Sequence, residues 1–491
     1  MNYNFLRQKL LFYSYFEKKK EMEYLNKNIC ALATPQGQGA IAVIMLSGED
    51  TPEIVGKIFV PAGGKAPLPY KMQFGAIKDG ERLIDECLVV TFKGPHSYTG
   101  ENSAEIYCHG SQYIVQEIIK LLLANGVKMA EPGEFSKRAF LNGKLDLAQA
   151  EAVADLISSE TEAAHKIAMQ QMKGGFSAEL KQMREDLLNL VSLMELELDF
   201  SEEEVEFADR KQLAELLGKV SSKVTQLIES FTLGNVIKNG VPVAIVGATN
   251  TGKSTLLNTL VGEERAIVSN IHGTTRDVIE DTMNLGGITF RFIDTAGIRE
   301  TKETIEIIGI ERTYQKLKSA TVVILVLDAS RPENFKHSLV NLTDKISSRQ
   351  QLIIVLNKID ETSEVGVEAQ IDKIKDICVE HSLSPIAVVP ISAKKGENID
   401  DLQEVLVSSQ NSWKSSVATG GTLVSNIRHY QALMDAQIAL DRVEDGLNSG
   451  LATDLVAQDI REALYHLGSI VGEINTEEIL GNIFGRFCIG K

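Results

Sequence analysis

Residues Gly247-Ala-Thr-Asn-Thr-Gly252-Lys253-Ser254 follow the apolar run Val243–Val246 and open a helical stretch at Lys253. This is the GxxxxGK[ST] phosphate-binding pattern in the strand–loop–helix context it needs. Its glycines let backbone N–H groups close around phosphates, Lys253 neutralises the terminal phosphate oxygens, and the Ser254 hydroxyl reaches Mg2+. Asn250, Thr251, Gly252, Lys253, Ser254 and Thr255 are the expected nucleotide contacts. The loop by itself does not choose between ATP and GTP.

Three later segments make that choice. Asp294-Thr295-Ala296-Gly297 ends the run Phe290–Ile293, where an Asp serves Mg2+-bound water and a Gly senses a γ-phosphate. Asn357-Lys358-Ile359-Asp360 ends the next strand but one. The Asp360 carboxylate there accepts from guanine N1–H and the exocyclic amine. Adenine lacks that donor pair, so guanine is favoured by roughly 10⁴-fold. Ser392-Ala393-Lys394 follows another strand and closes over the base. Gly273-Thr274-Thr275-Arg276-Asp277 occupies the position of a switch loop, with Thr275 as the second Mg2+ hydroxyl. One departure from Ras-type hydrolysis stands out: Ile298 follows Gly297, where a water-orienting Gln is expected. Hydrolysis must draw a carboxylate or amide from elsewhere. An extra cation, touched by the Asn250 amide oxygen, would replace an arginine finger.

The elements that hold these residues follow from proline and periodicity. Of 11 prolines, seven lie between Pro35 and Pro132, none from Gly133 to Val241, four at Pro242, Pro332, Pro385 and Pro390, and none after. Proline is excluded from helix interiors, so the two proline-free stretches are predicted helical. The β-rich runs Ala40–Leu46 and Glu86–Phe92, with helical spacing over Gln112–Asn125, predict a mixed α/β region at 28–142. Val243–Val246, Val322–Leu327, Leu352–Leu356 and Ile386–Val389 alternate with helical stretches. They predict a mostly parallel sheet over 239–406, and Gly286-Gly287 predicts a hairpin with one antiparallel edge. Leu147, Ala150, Val153, Ala154 and Ile157 share one helical face in the region 143–238. Val456, Ile460, Ala463, Leu464, Leu467 and Val471 form a stripe in 407–491, predicted to pack against that region. The α/β unit is then inserted into one helical domain. Ser201-Glu-Glu-Glu204 reads as a solvated helix start.

Composition narrows the class. The chain has 491 residues, with 50 Lys and Arg against 67 Asp and Glu, for a net charge of −17. That excludes a surface that grips nucleic acid throughout, though not a local basic patch. Five scattered cysteines (Cys30, Cys87, Cys108, Cys378, Cys488) with no CxxC pair exclude a disulfide scaffold or Cys-rich zinc site and predict a reducing cytoplasm. No apolar run approaches the ~20 residues of a membrane span. Residues 1–27 are not a secretory signal; they read as a frayed basic arm, or as residues before a true start at Met22.

With these residues in view, the chain resembles the MnmE (TrmE) family of tRNA-modification GTPases. The telling segments are Ala33–Gly39, Gly94–Glu101, Pro132–Asn142, Leu145–Glu151, Gly273–Asp277 and the terminal Phe487–Lys491. The resemblance implies an N-terminal α+β domain that dimerises and binds a tetrahydrofolate one-carbon derivative. It also implies a central all-α domain and an inserted Ras-like α/β GTPase domain. With the FAD-dependent MnmG it implies a heterotetramer that installs an aminomethyl or carboxymethylaminomethyl group on the wobble uridine of tRNAs. Hydrolysis is expected to be K+-dependent, with K+ contacts at Asn250, Ser269, Ile271 and Thr274 and a water-orienting Glu306. Ser269 and Thr274 also count as GTP contacts. Folate contacts fall on Glu105, Lys144 and Lys491; a further family position, often Arg, is Met45 here. Cys488 matches a terminal Cys for which a chemical role is considered, with an inert buried thiol as the equal alternative.

Two competing functions remain at this level. One is a ribosome-assembly switch GTPase acting by binding only; the helical tail after Lys394 has no RNP-like or GxxG signature to support it. The other is a folate-dependent one-carbon transferase with a regulatory GTPase.

Overall fold

The computed structural model describes residues 27–64, 67–199, 210–262, 281–293, 317, 319–347, 350–410, 421–473, 477–485, 487 and 490. The helix start expected at Ser201 lies outside these residues. The chain divides into two compact units, one of residues 1–157, 170–208 and 451–491, the other of residues 158–169 and 209–450.

In the first unit, strands β1 (Ile29–Leu32), β2 (Ile41–Ser47), β3 (Phe59–Pro61), β4 (Gln73–Asp79), β5 (Arg82–Phe92), β6 (Ser103–His109) and β7 (Lys128–Met129) form a sheet in the order β3-β4-β5-β6-β2-β1-β7. All pairings are antiparallel except β1 with β7. Side chains alternate between faces along each strand. Ile44, Leu46, Val89, Ile106 and Cys108 therefore point into one core with helices Thr51–Ile58 and Gln112–Ala124. On the opposite face, helix Glu134–Leu141 covers Ile29 and Ala31 with Phe135. Helices Gly175–Asp199 and Thr453–Val471 pack along each other in this unit; of the predicted stripe, Val456, Ile460, Ala463, Leu464 and Leu467 are buried and Val471 is half-buried. Helix Glu477–Phe484 packs on Glu134–Leu141 through Phe484 and Phe140.

The second unit holds β8 (Val241–Val246), β9 (Asp281–Leu285), β10 (Ile288–Ile293), β11 (Val322–Asp328), β12 (Gln351–Asn357) and β13 (Ala387–Ile391), in the order β13-β12-β11-β8-β10-β9. Only β9 is antiparallel, joined to β10 through Gly286 and Gly287 at φ +56° and +79°. This is the predicted hairpin, and only glycine holds that turn without steric cost. The remaining strands are parallel, and the central β11 and β12 are buried on both faces. All seven residues of β11 are buried, which is why it reads as a continuous apolar run rather than an alternation. Helices Arg210–Asn239 and Ile427–Ser449 pack together, tied by Gln437 to Thr225 and Ser221 and by a Phe231–Tyr430 ring stack at 4.3 Å. No described helix is long and apolar enough to cross a membrane.

Candidate nucleotide-binding site

The site lies at the carboxyl ends of the parallel strands, where open α/β sheets hold their ligands. Residues 247–252 connect β8 to helix Lys253–Gly262. Two glycines make the loop tight. Gly247 (φ +151°) would drive a Cβ into the Val326 carbonyl oxygen, and Gly252 (φ +95°) would drive one into Asn357 Nδ2. Asn250 also sits at positive φ, +64°. Asn is one of the few side-chain types that adopt this conformation readily. The residue proposed to face a cation is thus also one that suits the backbone. Lys253 Nζ donates to the carbonyls of Gly247 (2.9 Å) and Ala248 (2.6 Å), and burial lowers its pKa from the ordinary lysine value. The two carbonyls hold the amine over the loop that the backbone N–H groups line.

The base end is assembled from β11, β12 and β13. Their last residues are in register: Asp328 opposite Asn357, and Asn357 opposite Ile391. Asn357 is buried at 3% exposure and faces two ways. Its Nδ2 donates to the Thr251 carbonyl (2.8 Å), and its Oδ1 accepts from Ala393 N (3.0 Å). One side chain therefore couples the phosphate loop to the loop that closes over the base. Thr259 Oγ1 adds a second tie by donating to the Ala393 carbonyl at 2.9 Å. Ser392 Oγ donates to Asp360 Oδ1 at 2.8 Å. That bond, followed by a backbone hydrogen bond and the neighbouring Lys395 and Lys394 charges, holds the Asp360 carboxyl below the usual carboxylate range, against the opposing effect of desolvation. Asp360 is thus kept ionised as a pure acceptor, the state that a guanine edge requires.

The structure accordingly brings together Asn250, Thr251, Gly252, Lys253, Ser254, Thr255, Asn357, Lys358, Asp360, Ser392 and Ala393 at one end of one sheet. Glu306, Ser269, Ile271, Thr274, Thr275, Asp294, Thr295, Ala296, Gly297, Cys488 and Lys491 lie outside the described residues. Asp328 and Ser330 are additions that the motifs do not reveal. Asp328 Oδ2 accepts from Lys358 Nζ at 2.6 Å, and its Oδ1 accepts from Ser330 Oγ (2.6 Å) and N (3.0 Å). The available signal was a single acid ending the apolar run Val322–Leu327.

In the first unit, Met45 and Glu105 are cross-strand partners of β2 and β6, with Val90 opposite Glu105 and Ala31 opposite Met45. Tyr107 Oη donates to Glu105 Oε2 at 2.5 Å; that bond, with burial, pushes the Tyr107 phenol up to about 12. Lys144 is exposed and borders Gly100. Segments Gly94–Glu101 and Pro132–Asn142 meet around Arg138, which is fully buried. Its guanidinium donates to Glu101 (3.0 and 3.2 Å) and to Glu134 (2.8 and 3.3 Å), and Ser47 Oγ donates to Glu101 at 2.6 Å. Tyr98 and Ser136 share a further hydrogen bond at 2.8 Å. These motif residues hold the loop and helix together. Gly490 (φ +98°) packs so closely on the Leu32 carbonyl and Ala33 that a side chain there would clash, which places Gly490 beside the end of β1.

Comparison with known proteins agrees over almost the whole chain. A family model described as the MnmE helical domain matches residues 147–488, and one described as the GTP-binding protein TrmE N-terminus matches residues 28–144. Proteins called tRNA modification GTPase MnmE from Bacteroides fragilis (strain YCH46) and Bacteroides thetaiotaomicron are 53% and 52% identical over 470 residues, covering 94% of this chain and 99% of theirs. The protein of that name from Flavobacterium psychrophilum is 51% identical over 472 residues, with the same coverage. By these matches, and by the Asn357-centred site that joins phosphate loop to base loop, the chain belongs to the MnmE (TrmE) family of tRNA modification GTPases.

Proposed function

We propose that this chain hydrolyses GTP in a K+-dependent manner and, with an FAD-dependent MnmG partner, couples hydrolysis to formation of the aminomethyl or carboxymethylaminomethyl group on the wobble uridine of tRNAs. A tetrahydrofolate derivative supplies the one-carbon unit. The observation that carries the nucleotide part is the double hydrogen bond of Asn357, which fixes the phosphate loop and the Asp360–Ser392 base edge in one frame. Lys253 and the N–H groups of the 247–252 loop bind the phosphates, and Asp360 orients the guanine. The close-packed glycines at 247 and 252 fit a nucleotide phosphate, because they leave the loop N–H groups free of side-chain cover. Ser254 supplies an oxygen for Mg2+, a charge-neutralising Lewis acid when bound; Thr275 is its expected companion. Asn250 carries an amide oxygen suited to K+, with Ser269, Ile271 and Thr274 completing that set. Glu306 orients water.

Two copies of the chain meeting through their nucleotide units, in addition to a homodimer of the N-terminal domain, supply what Ile298 leaves missing. Glu105, Lys144, Met45 and Lys491 are the proposed folate neighbours; the cross-strand pairing of Met45 with Glu105 and the seat of Gly490 beside β1 support that grouping. GTP turnover in K+ against Na+ at equal ionic strength is the decisive test. Stimulation by K+ of tenfold or more is expected, whereas equal rates would remove the cation from the mechanism and favour a switch that works by binding.

A further inference from the structure

We infer that Asp328 is a positioning residue for guanine recognition, acting through Lys358 rather than by touching the nucleotide. This inference rests on the nucleotide site proposed above. Lys358 lies between Asn357 and Asp360, the two residues that build the base edge, and its backbone is left-handed at φ +67°. A lysine gains nothing intrinsic from that conformation, which is sterically costly for a non-glycine residue, so the surroundings must hold it. Asp328 does so. Its carboxylate is 6% exposed, faces Asn357 across the β11–β12 ladder, and takes the Lys358 ammonium at 2.6 Å. Both hydrogen bonds from Ser330 fall on the other carboxylate oxygen, which orients Oδ2 toward the lysine. With its ammonium tethered to Asp328, the four-carbon stem of Lys358 is held between Asn357 and Asp360 with 28% of the side chain exposed. That stem is an apolar surface of the right kind for one face of a purine ring. Asp360 reads the ring's edge and the tethered stem supports its face; the two carboxylates divide the work.

The experiment measures dissociation of fluorescent mant-GDP from the full chain, with Asp328→Asn, Lys358→Met and the double variant. Asp328→Asn is isosteric and keeps an acceptor for Ser330, but turns an N–H donor toward the lysine and releases it. It is expected to speed release by about tenfold while leaving the preference for GDP over IDP, set by Asp360, unchanged. In the Lys358→Met background the same change is expected to alter release by less than twofold, since there is no ammonium left to position. Equal losses in both backgrounds would show a merely structural role and overturn the inference, as would unchanged release in Asp328→Asn. If the unsubstituted chain fails to retain mant-GDP, the nucleotide reading itself falls, and the role of Asp328 falls with it.

Discussion

Asn357 donates its side-chain amide to the carbonyl of Thr251, 106 residues earlier in the chain, at 2.8 Å and out of reach of solvent. The base-recognition strand and the phosphate loop are therefore mechanically one object. Replacing Asn357 with Ala leaves the Thr251 carbonyl and the Ala393 N–H buried without partners, at about 1–3 kcal/mol each. The expected outcome is a lower melting temperature of the nucleotide-free chain and at least a hundredfold weaker mant-GDP affinity, read by thermal unfolding and fluorescence titration. Wild-type affinity in this variant would disprove the coupling.

Asp360 is expected to decide the base. Asp360→Asn replaces an acceptor with a donor opposite guanine N1–H, and the affinity for GDP should fall by about 10²–10⁴-fold. Xanthine, which offers the complementary acceptor, should bind better than guanine. Competition of XDP and GDP for the same site measures the reversal.

Asn250 separates backbone from ligand effects. Asn250→Gly keeps the positive φ and removes the amide oxygen, so GTP binding should stay within about threefold while K+ stimulation is lost. Glu306→Ala should likewise retain binding and abolish turnover. Rapid-quench rates beside equilibrium titrations distinguish the two losses, and K+-stimulated hydrolysis by Asn250→Gly would exclude that amide from the cation site.

The Arg138 network makes a stability prediction. Arg138→Met strands two carboxylates, Glu101 and Glu134, that are nearly or fully buried. Breaking such a network costs about 3–5 kcal/mol. Hydrogen exchange should accelerate in peptides spanning Gly94–Glu101 and Pro132–Asn142 and stay unchanged in β11 and β12; the further changes Glu101→Gln and Glu134→Gln should recover part of the protection.

Burial pushes Cys30 and Cys87 up to about 12 and Cys108 to about 11. Iodoacetamide at pH 8 should leave all three unlabelled in the native chain and modify them after denaturation, as mass spectrometry would show. The sign of the linkage follows. Folded-state values above the ordinary 9.0 mean that the unfolded chain loses these protons first. The stability they contribute is complete below about pH 9 and declines as pH rises toward 12.

The described part of the nucleotide site was legible because its motifs are chain-local: glycines, a lysine and a serine within eight positions, then short signatures at strand ends. The parallel sheet and its hairpin were legible for the same reason, since apolar runs and Gly286-Gly287 mark them directly. Asp328 was not, because its meaning depends on register with Asn357 and on the left-handed turn at Lys358, neither of which leaves a pattern in the residues. The buried trio of Glu101, Glu134 and Arg138 was visible only as conspicuous segments. Its chemistry appears when residues 37 positions apart are brought to 3.0 Å. Strand β7, two residues long, carries no periodicity at all.

The seat of Gly490 on Leu32 and Ala33 bears on how the molecule is made. The unit containing β1 also draws on residues 451–491, so a ribosome must release the intervening nucleotide unit before that assembly can be completed. Synthesis runs from the amino end, and domains generally fold as units as they emerge. The nucleotide-binding sheet is thus free to mature before residues 451–491 join the unit that contains β1.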